Sequence, residues 1–172
     1  MRKRAALTSF VVLVVCGCSG VAAQTDGPKA RFEDDLISRL EGTWHLSRKI
    51  RGTEVYNLVT ARWVLNHQFL YVHMKDVKEP PAYEAIVLIG FIHGSGKYVA
   101  HWTDTFGGKF SAMGTGTRTG NSVEFRFEYP EGPFFNTFSW APEQAQWTFR
   151  GESQDASGQR KPFAVDTLTR KP

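Results

Sequence analysis

Between Val123 and Tyr129 apolar and charged residues alternate one for one, Val123, Phe125, Phe127 and Tyr129 against Glu124, Arg126 and Glu128. A period of two is the mark of a strand with one face in a core and one in water. Trp147 and Phe149 repeat the pattern against Gln146, Thr148 and Arg150, and Phe163 and Val165 continue it more weakly. Leu70, Val72 and Met74 form a further apolar row, which directs His73 outward. Tyr98, Ala100, Trp102 and Asp104 are read as an inner row, with Val99, His101 and Thr103 toward solvent.

Turn signals break this alternation about every 8 to 12 residues, the spacing of all-β sandwiches and barrels. They fall at Arg51-Gly52, Asn66-His67, Glu79-Pro80-Pro81, Gly94-Ser95-Gly96, Gly107-Gly108, Gly120-Asn121, Pro130 to Pro133, Ala141-Pro142-Glu143 and Ala156-Ser157-Gly158. Nine breaks predict ten strands. Gly107-Gly108 suits a two-residue hairpin and Gly94 to Gly96 a three-residue loop, so strands adjacent in sequence are expected to pair as a meander. Closing such a meander removes both exposed edges.

The period differs before Gly42. Phe32, Leu36, Ile37 and Leu40 are spaced for one face of a short amphipathic helix from Arg31 to Leu40, with Glu33, Asp34 and Asp35 near its positive end. Gly42 then ends the helix and turns the chain, and Trp44 is expected to plug the barrel floor.

The first residues belong to another pattern: Arg2, Lys3 and Arg4, an apolar run from Ala5 to Val15, then small residues before Gln24. This reads as a signal peptide over residues 1–23, a tether over 24–30, and a single domain over 31–172. Val21-Ala22-Ala23 suits cleavage before Gln24, whereas Val15 to Ser19 resembles a bacterial lipobox that would lipidate Cys18. The predicted place is the bacterial cell envelope, with membrane contact only through that anchor. Setting aside Arg2, Lys3 and Arg4 leaves 18 of the 21 basic residues against 17 acidic ones, which argues against a nucleic-acid partner. Both cysteines, Cys16 and Cys18, lie in the leader, so the domain must hold without disulfides or thiolate metal sites.

Gly42-Thr43-Trp44 is similar to the Gly-x-Trp signature that opens the first strand of lipocalins and the wider calycin group. With Ala61-Arg62-Trp63, Phe69-Leu70 and the run Gly96 to Asp104, it resembles a bacterial lipocalin-like family of unknown function, over roughly Leu36 to Arg170. The resemblance implies a barrel with a lumen and supplies no catalytic residues. Ten strands exceed the eight of lipocalins and approach the fatty-acid-binding and nitrobindin-type haem barrels.

Candidate chemistry is sparse. The inner aromatic rows nominate Trp63, Tyr98, Trp102, Asp104, Phe125, Phe127 and Trp147 as ligand-binding residues, Trp102 as a flat wall and Asp104 as a charged rim group. Core filling by Trp102 and turn initiation by Asp104 stand as the plainer alternative. His45, His67, His73, His93 and His101 show no chelating spacing, so neither metal nor cofactor is expected. A haem held by one His, with His73 or His101 as ligand, is a second reading. His93 to Gly96 lacks nucleophile-elbow spacing, Gly114 to Thr117 lacks the Lys of a phosphate loop, and Arg48 to Arg51 reads as a solvated strand end. The expected function is non-enzymatic binding of a small hydrophobic or amphipathic ligand by an all-β, up-and-down barrel. Haem chemistry, and an enzyme of lipid or isoprenoid chemistry working inside the barrel, are the alternatives.

Overall fold

The computed structural model describes residues 30–50 and 53–171. The leader with Cys18 and the Arg51-Gly52 turn lie outside the described residues. Ten strands follow in order: β1 Gly42–Ile50, β2 Thr53–Val64, β3 Phe69–Asp76, β4 Glu84–Ile92, β5 Lys97–Asp104, β6 Ala112–Thr119, β7 Ser122–Tyr129, β8 Gly132–Ala141, β9 Gln146–Gln154 and β10 Arg160–Arg170. Each pairs antiparallel with its sequence neighbour, and β1 pairs with β10, so the sheet closes into a barrel without a free edge.

Alternation sets the inner wall. Val123, Phe125 and Phe127 point inward and are almost fully buried, with Arg126 and Glu128 outside. Register carries the same parity around the ring: Leu168 stands opposite Leu46, Leu46 opposite Asn57, and Asn57 opposite Asp76. On β6 the inner wall is nearly blank. A Cβ on Gly114 would lie 2.8 Å from the Phe127 ring, and one on Gly116 would lie 2.7 Å from Phe125, so these aromatic rings occupy the space that side chains on β6 would need.

One end of the barrel is sealed. Here the expected helix is reduced to a single 3₁₀ turn, Ile37–Leu40. Residues Ala30 to Asp34 run without helical structure because other partners hold them. The Phe32 N–H donates to the His67 carbonyl at 3.0 Å, and Asp34 Oδ1 accepts from the Leu36 and Ile37 N–H groups at 2.9 and 2.7 Å. An Asp in that position starts a helix, so no helical turn precedes it. Phe32 lies among Trp63, Phe91 and Tyr98, with ring centroids 5.4, 5.5 and 5.9 Å away. Trp44 is wholly buried beneath the turn, donating from Nε1 to the Leu40 carbonyl at 2.7 Å. The Arg170 guanidinium lies 4.4 Å from its ring centroid.

Three further expectations change. The chain between β5 and β6 is no two-residue hairpin; it runs from Thr105 to Ser111 through a 3₁₀ turn, Gly108–Phe110. The β4–β5 loop has four residues, His93 to Gly96, with the Ser95 and Gly96 N–H groups both donating to the Ile92 carbonyl. Phe163 and Val165 face outward, because a register shift between Pro162 and Ala164 reverses parity and turns Ala164, Asp166 and Leu168 inward.

Candidate functional site at the barrel mouth

The end opposite the 3₁₀ turn is built differently. Arg48 of β1 points inward and donates from Nε to Asp166 Oδ1 at 2.6 Å and from Nη2 to Asp166 Oδ2. The strand end expected to be solvated therefore contributes a buried ion pair. The inner row Trp44, Leu46, Arg48 carried the signal, since the parity of β1 directs all three inward. Burial pushes the Asp166 carboxyl above the usual carboxylate range, against the downward pull of the Arg48 guanidinium.

Tyr83, just before β4, places its ring 5.7 Å from the Arg48 guanidinium and its hydroxyl 3.5 Å from Asp104 Oδ2. Burial, then the negative charge of Asp104, raises the Tyr83 pKa strongly. Trp102 Nε1 donates to the same Asp104 oxygen at 3.3 Å, and the Phe106 N–H donates to Oδ1 at 3.0 Å. A polar chain thus crosses the mouth from β10 and β1 through Tyr83 to β5. Asp104 thus lies beside Trp102, and its bond from the Phe106 N–H opens the turn into the β5–β6 loop, as the plainer reading of this residue expects. Asn57 and Asp76 lie buried next to each other on the inner faces of β2 and β3. The mark of each in the sequence is a polar residue in line with Val59 and Ala61, or with Val72 and Met74.

The seven nominated residues all belong to the inner rows but separate by level. Trp102, Asp104 and Phe127 belong toward the mouth, where Trp102 meets Phe127 edge-on at 6.2 Å. Phe125 and Trp147 are fully buried in the aromatic packing. Trp63 stacks on His67 at 3.9 Å, and the Tyr98 hydroxyl donates to Asp34, which places both at the sealed end.

The histidines lie elsewhere. His73 stands on the outer wall with Nε2 2.5 Å from Glu84 Oε1, and His101 is exposed on the outer face of β5. These two positions do not fit axial ligation of a haem inside the barrel. Among the described residues no group of three or more His, Cys, Asp or Glu is placed to hold a metal ion. A shallow depression of about 540 Å³ lies on the outer wall among Glu124, Thr137, Glu152 and Arg160. Its charges are engaged with one another, Arg160 reaching Glu124 at 2.7 Å and covering Phe135 at 3.5 Å.

No family model and no curated protein matches the chain. The crystal structure of Rv2717c from M. tuberculosis is similar to it with a TM-score of 0.58 at 12% identity, over 79% of this chain and 95% of that one. The two share a fold. At that identity the likeness to Rv2717c carries the barrel architecture and says nothing of ligand or chemistry. The lipocalin-like resemblance accordingly rests on Gly42-Thr43-Trp44, Ala61-Arg62-Trp63, Phe69-Leu70 and the run Gly96 to Asp104 alone, and the barrel has two strands more than a lipocalin's.

Proposed function

We propose that this protein is an exported binding protein for a small amphipathic molecule. The ligand enters at the mouth, its polar group resting among Arg48, Asn57, Asp76, Tyr83 and Asp104 and its apolar part against Trp102 and Phe127. The observation that carries this reading is the unequal finish of the two ends. One end is closed by Phe32, Leu36, Ile37, Leu40 and Trp44, all almost fully buried, whereas inward polar side chains gather at the other. Burying polar groups costs stability that an all-apolar interior would not forgo, so a cluster of them in one place fits ligand recognition. Export is the role proposed for the leader over residues 1–23, with Cys18 as its lipid anchor.

Native mass spectrometry of the protein purified from its own host tests the proposal, because a retained ligand adds its own mass. A discrete small-molecule adduct that is lost on Trp102→Ala or Asp104→Ala is expected. A ligand-free barrel whose melting temperature no amphipathic compound raises would defeat it.

A further inference from the structure

Within the mouth one pair of side chains stands out by what it lacks. Asn57 and Asp76 are direct cross-strand partners on the inner faces of β2 and β3, and only 2% and 5% of their surfaces are exposed. The Asn57 Nδ2 is buried without a hydrogen-bond partner. Buried donors are nearly always paired, by protein, water or ligand; the Trp140 and Trp147 Nε1 donors are also alone, but only the Asn57 donor stands beside an unpaired carboxylate. Asp76 Oδ1 accepts from the Lys78 N–H at 3.1 Å, and among the described residues no cation pairs with this carboxylate. Direct cross-strand neighbours stand about 5 Å apart at Cβ, close enough for a single small group to reach both. Among the described residues neither the Asn57 Nδ2 nor the Asp76 carboxylate is bonded to another side chain. On β1 the residue opposite Asn57 is Leu46, and the inward cation of that strand, Arg48, is held by both oxygens of Asp166.

We infer that Asn57 and Asp76 form the polar anchor of the mouth, taking a ligand group that accepts one hydrogen bond and donates another, namely a hydroxyl or a primary carboxamide. The inference rests on the reading of the barrel as a binder of an amphipathic molecule and specifies its head group. A hydroxyl accepts from Nδ2 and donates to the Asp76 carboxylate; a carboxamide does the same with its C=O and N–H. A carboxylate has only acceptors, is repelled by Asp76, and finds Arg48 already neutralised by Asp166. An ammonium group pairs with Asp76 but, having only donors, leaves the Asn57 Nδ2 unmet. Sites that hydrogen-bond a particular group discriminate strongly against analogues that lack it, since the unmatched protein groups then stay buried and unpaired.

Isothermal titration at neutral pH with four probes sharing one alkyl tail tests this: decanamide, 1-decanol, decanoate and decylammonium. Decanamide and decanol are expected to bind more tightly than the two ions by on the order of tenfold or more. Asn57→Leu should abolish that preference while tail binding persists, and Asp76→Asn should admit decanoate. Circular dichroism melts confirm that each variant is folded; should Asn57→Leu not fold, Asn57→Asp, which replaces the donor by an acceptor, takes its place. If the four probes bind equally, or if Asn57→Leu leaves their order unchanged, the anchor is refuted while the amphipathic reading stands. If none of the four binds, that reading falls and the anchor with it. If Asn57→Leu raises the melting temperature and alters no affinity, the pair is a polar defect of the fold and the inference is overturned.

Discussion

Removing the Asp166 carboxylate tests how the mouth is held together. The Arg48 and Asp166 side chains are 13% and 4% exposed, and the carboxylate accepts from two nitrogens of the guanidinium. Arginine does not deprotonate in a protein, so Asp166→Ala leaves a full positive charge in the barrel wall, with the Tyr83 ring at 5.7 Å as its remaining aromatic neighbour. Breaking such a pair costs about 3–5 kcal/mol, whereas replacing both members by apolar residues of similar size is often neutral or stabilising by about 1–4 kcal/mol. Urea unfolding followed by tryptophan fluorescence and by circular dichroism is the assay. Asp166→Ala is expected to lower stability by about 3–5 kcal/mol at an unchanged slope, and the Arg48→Met, Asp166→Leu double variant to recover most of it. The sign with pH is also fixed. A carboxyl whose folded pKa lies above its usual 3.8 binds its proton more tightly in the folded state, so its contribution to stability declines as pH rises from 3.8 through the folded value. Arg48→Met, which removes the downward pull, should steepen that decline. A cost below about 1 kcal/mol for Asp166→Ala, or a double variant as unstable as the two single changes summed, would refute the reasoning.

At the sealed end, Trp44→Ala should cost roughly 3–5 kcal/mol in a guanidinium melt, since the ring is wholly buried and also donates to Leu40. An unchanged midpoint would show that the ring closes nothing. Asp34→Ala removes the acceptor of two backbone N–H groups together with a partner of Tyr98 and Arg118, and should cost about 2 kcal/mol. Hydrogen exchange should quicken over Ile37–Leu40, and uniform quickening throughout the barrel would count against a local clasp. In a phenolate absorbance titration, Tyr98 should ionise near pH 12, because burial and then its hydrogen bond to Asp34 disfavour the anion. Its folded pKa exceeds the usual 10, so stability should fall between pH 10 and 12, and Tyr98→Phe should remove that part of the loss.

The strand count, the meander order and the inward row of β7 were legible because each rests on a short-range rule: a period of two, or a glycine or proline at a turn. Parity failed where a long-range feature intervened. The irregularity between Pro162 and Ala164 reverses β10, and nothing in Lys161-Pro162-Phe163 announces it, so Asp166 went unrecognised as an inner residue. Arg48 was misplaced for a different reason. Its partner is 118 residues away, and a charged residue at a strand end ordinarily meets water. The helix before Gly42 was over-read because apolar spacing alone does not reveal that Phe32 hydrogen-bonds to the turn at His67. The aromatic and acidic character of β5 points to Trp102 and Asp104, whereas Asn57 and Asp76 are marked only as lone polar residues in apolar rows.

Closure of the ring sets an order in time. Trp44 in the first strand stands opposite Arg170 in the last, and the Lys171 N–H donates to the Thr43 carbonyl, so the seam joins the first strand to the last. Each neighbouring hairpin can pair as soon as both its strands exist, but the seam brings together residues with almost the whole domain between them, which makes it the slowest kind of contact to form. Until β10 has been synthesised, β1 presents an unpaired edge and Trp44 has no Arg170 to cover it. The barrel therefore cannot mature from its N-terminus during synthesis; its first strand must wait for its last.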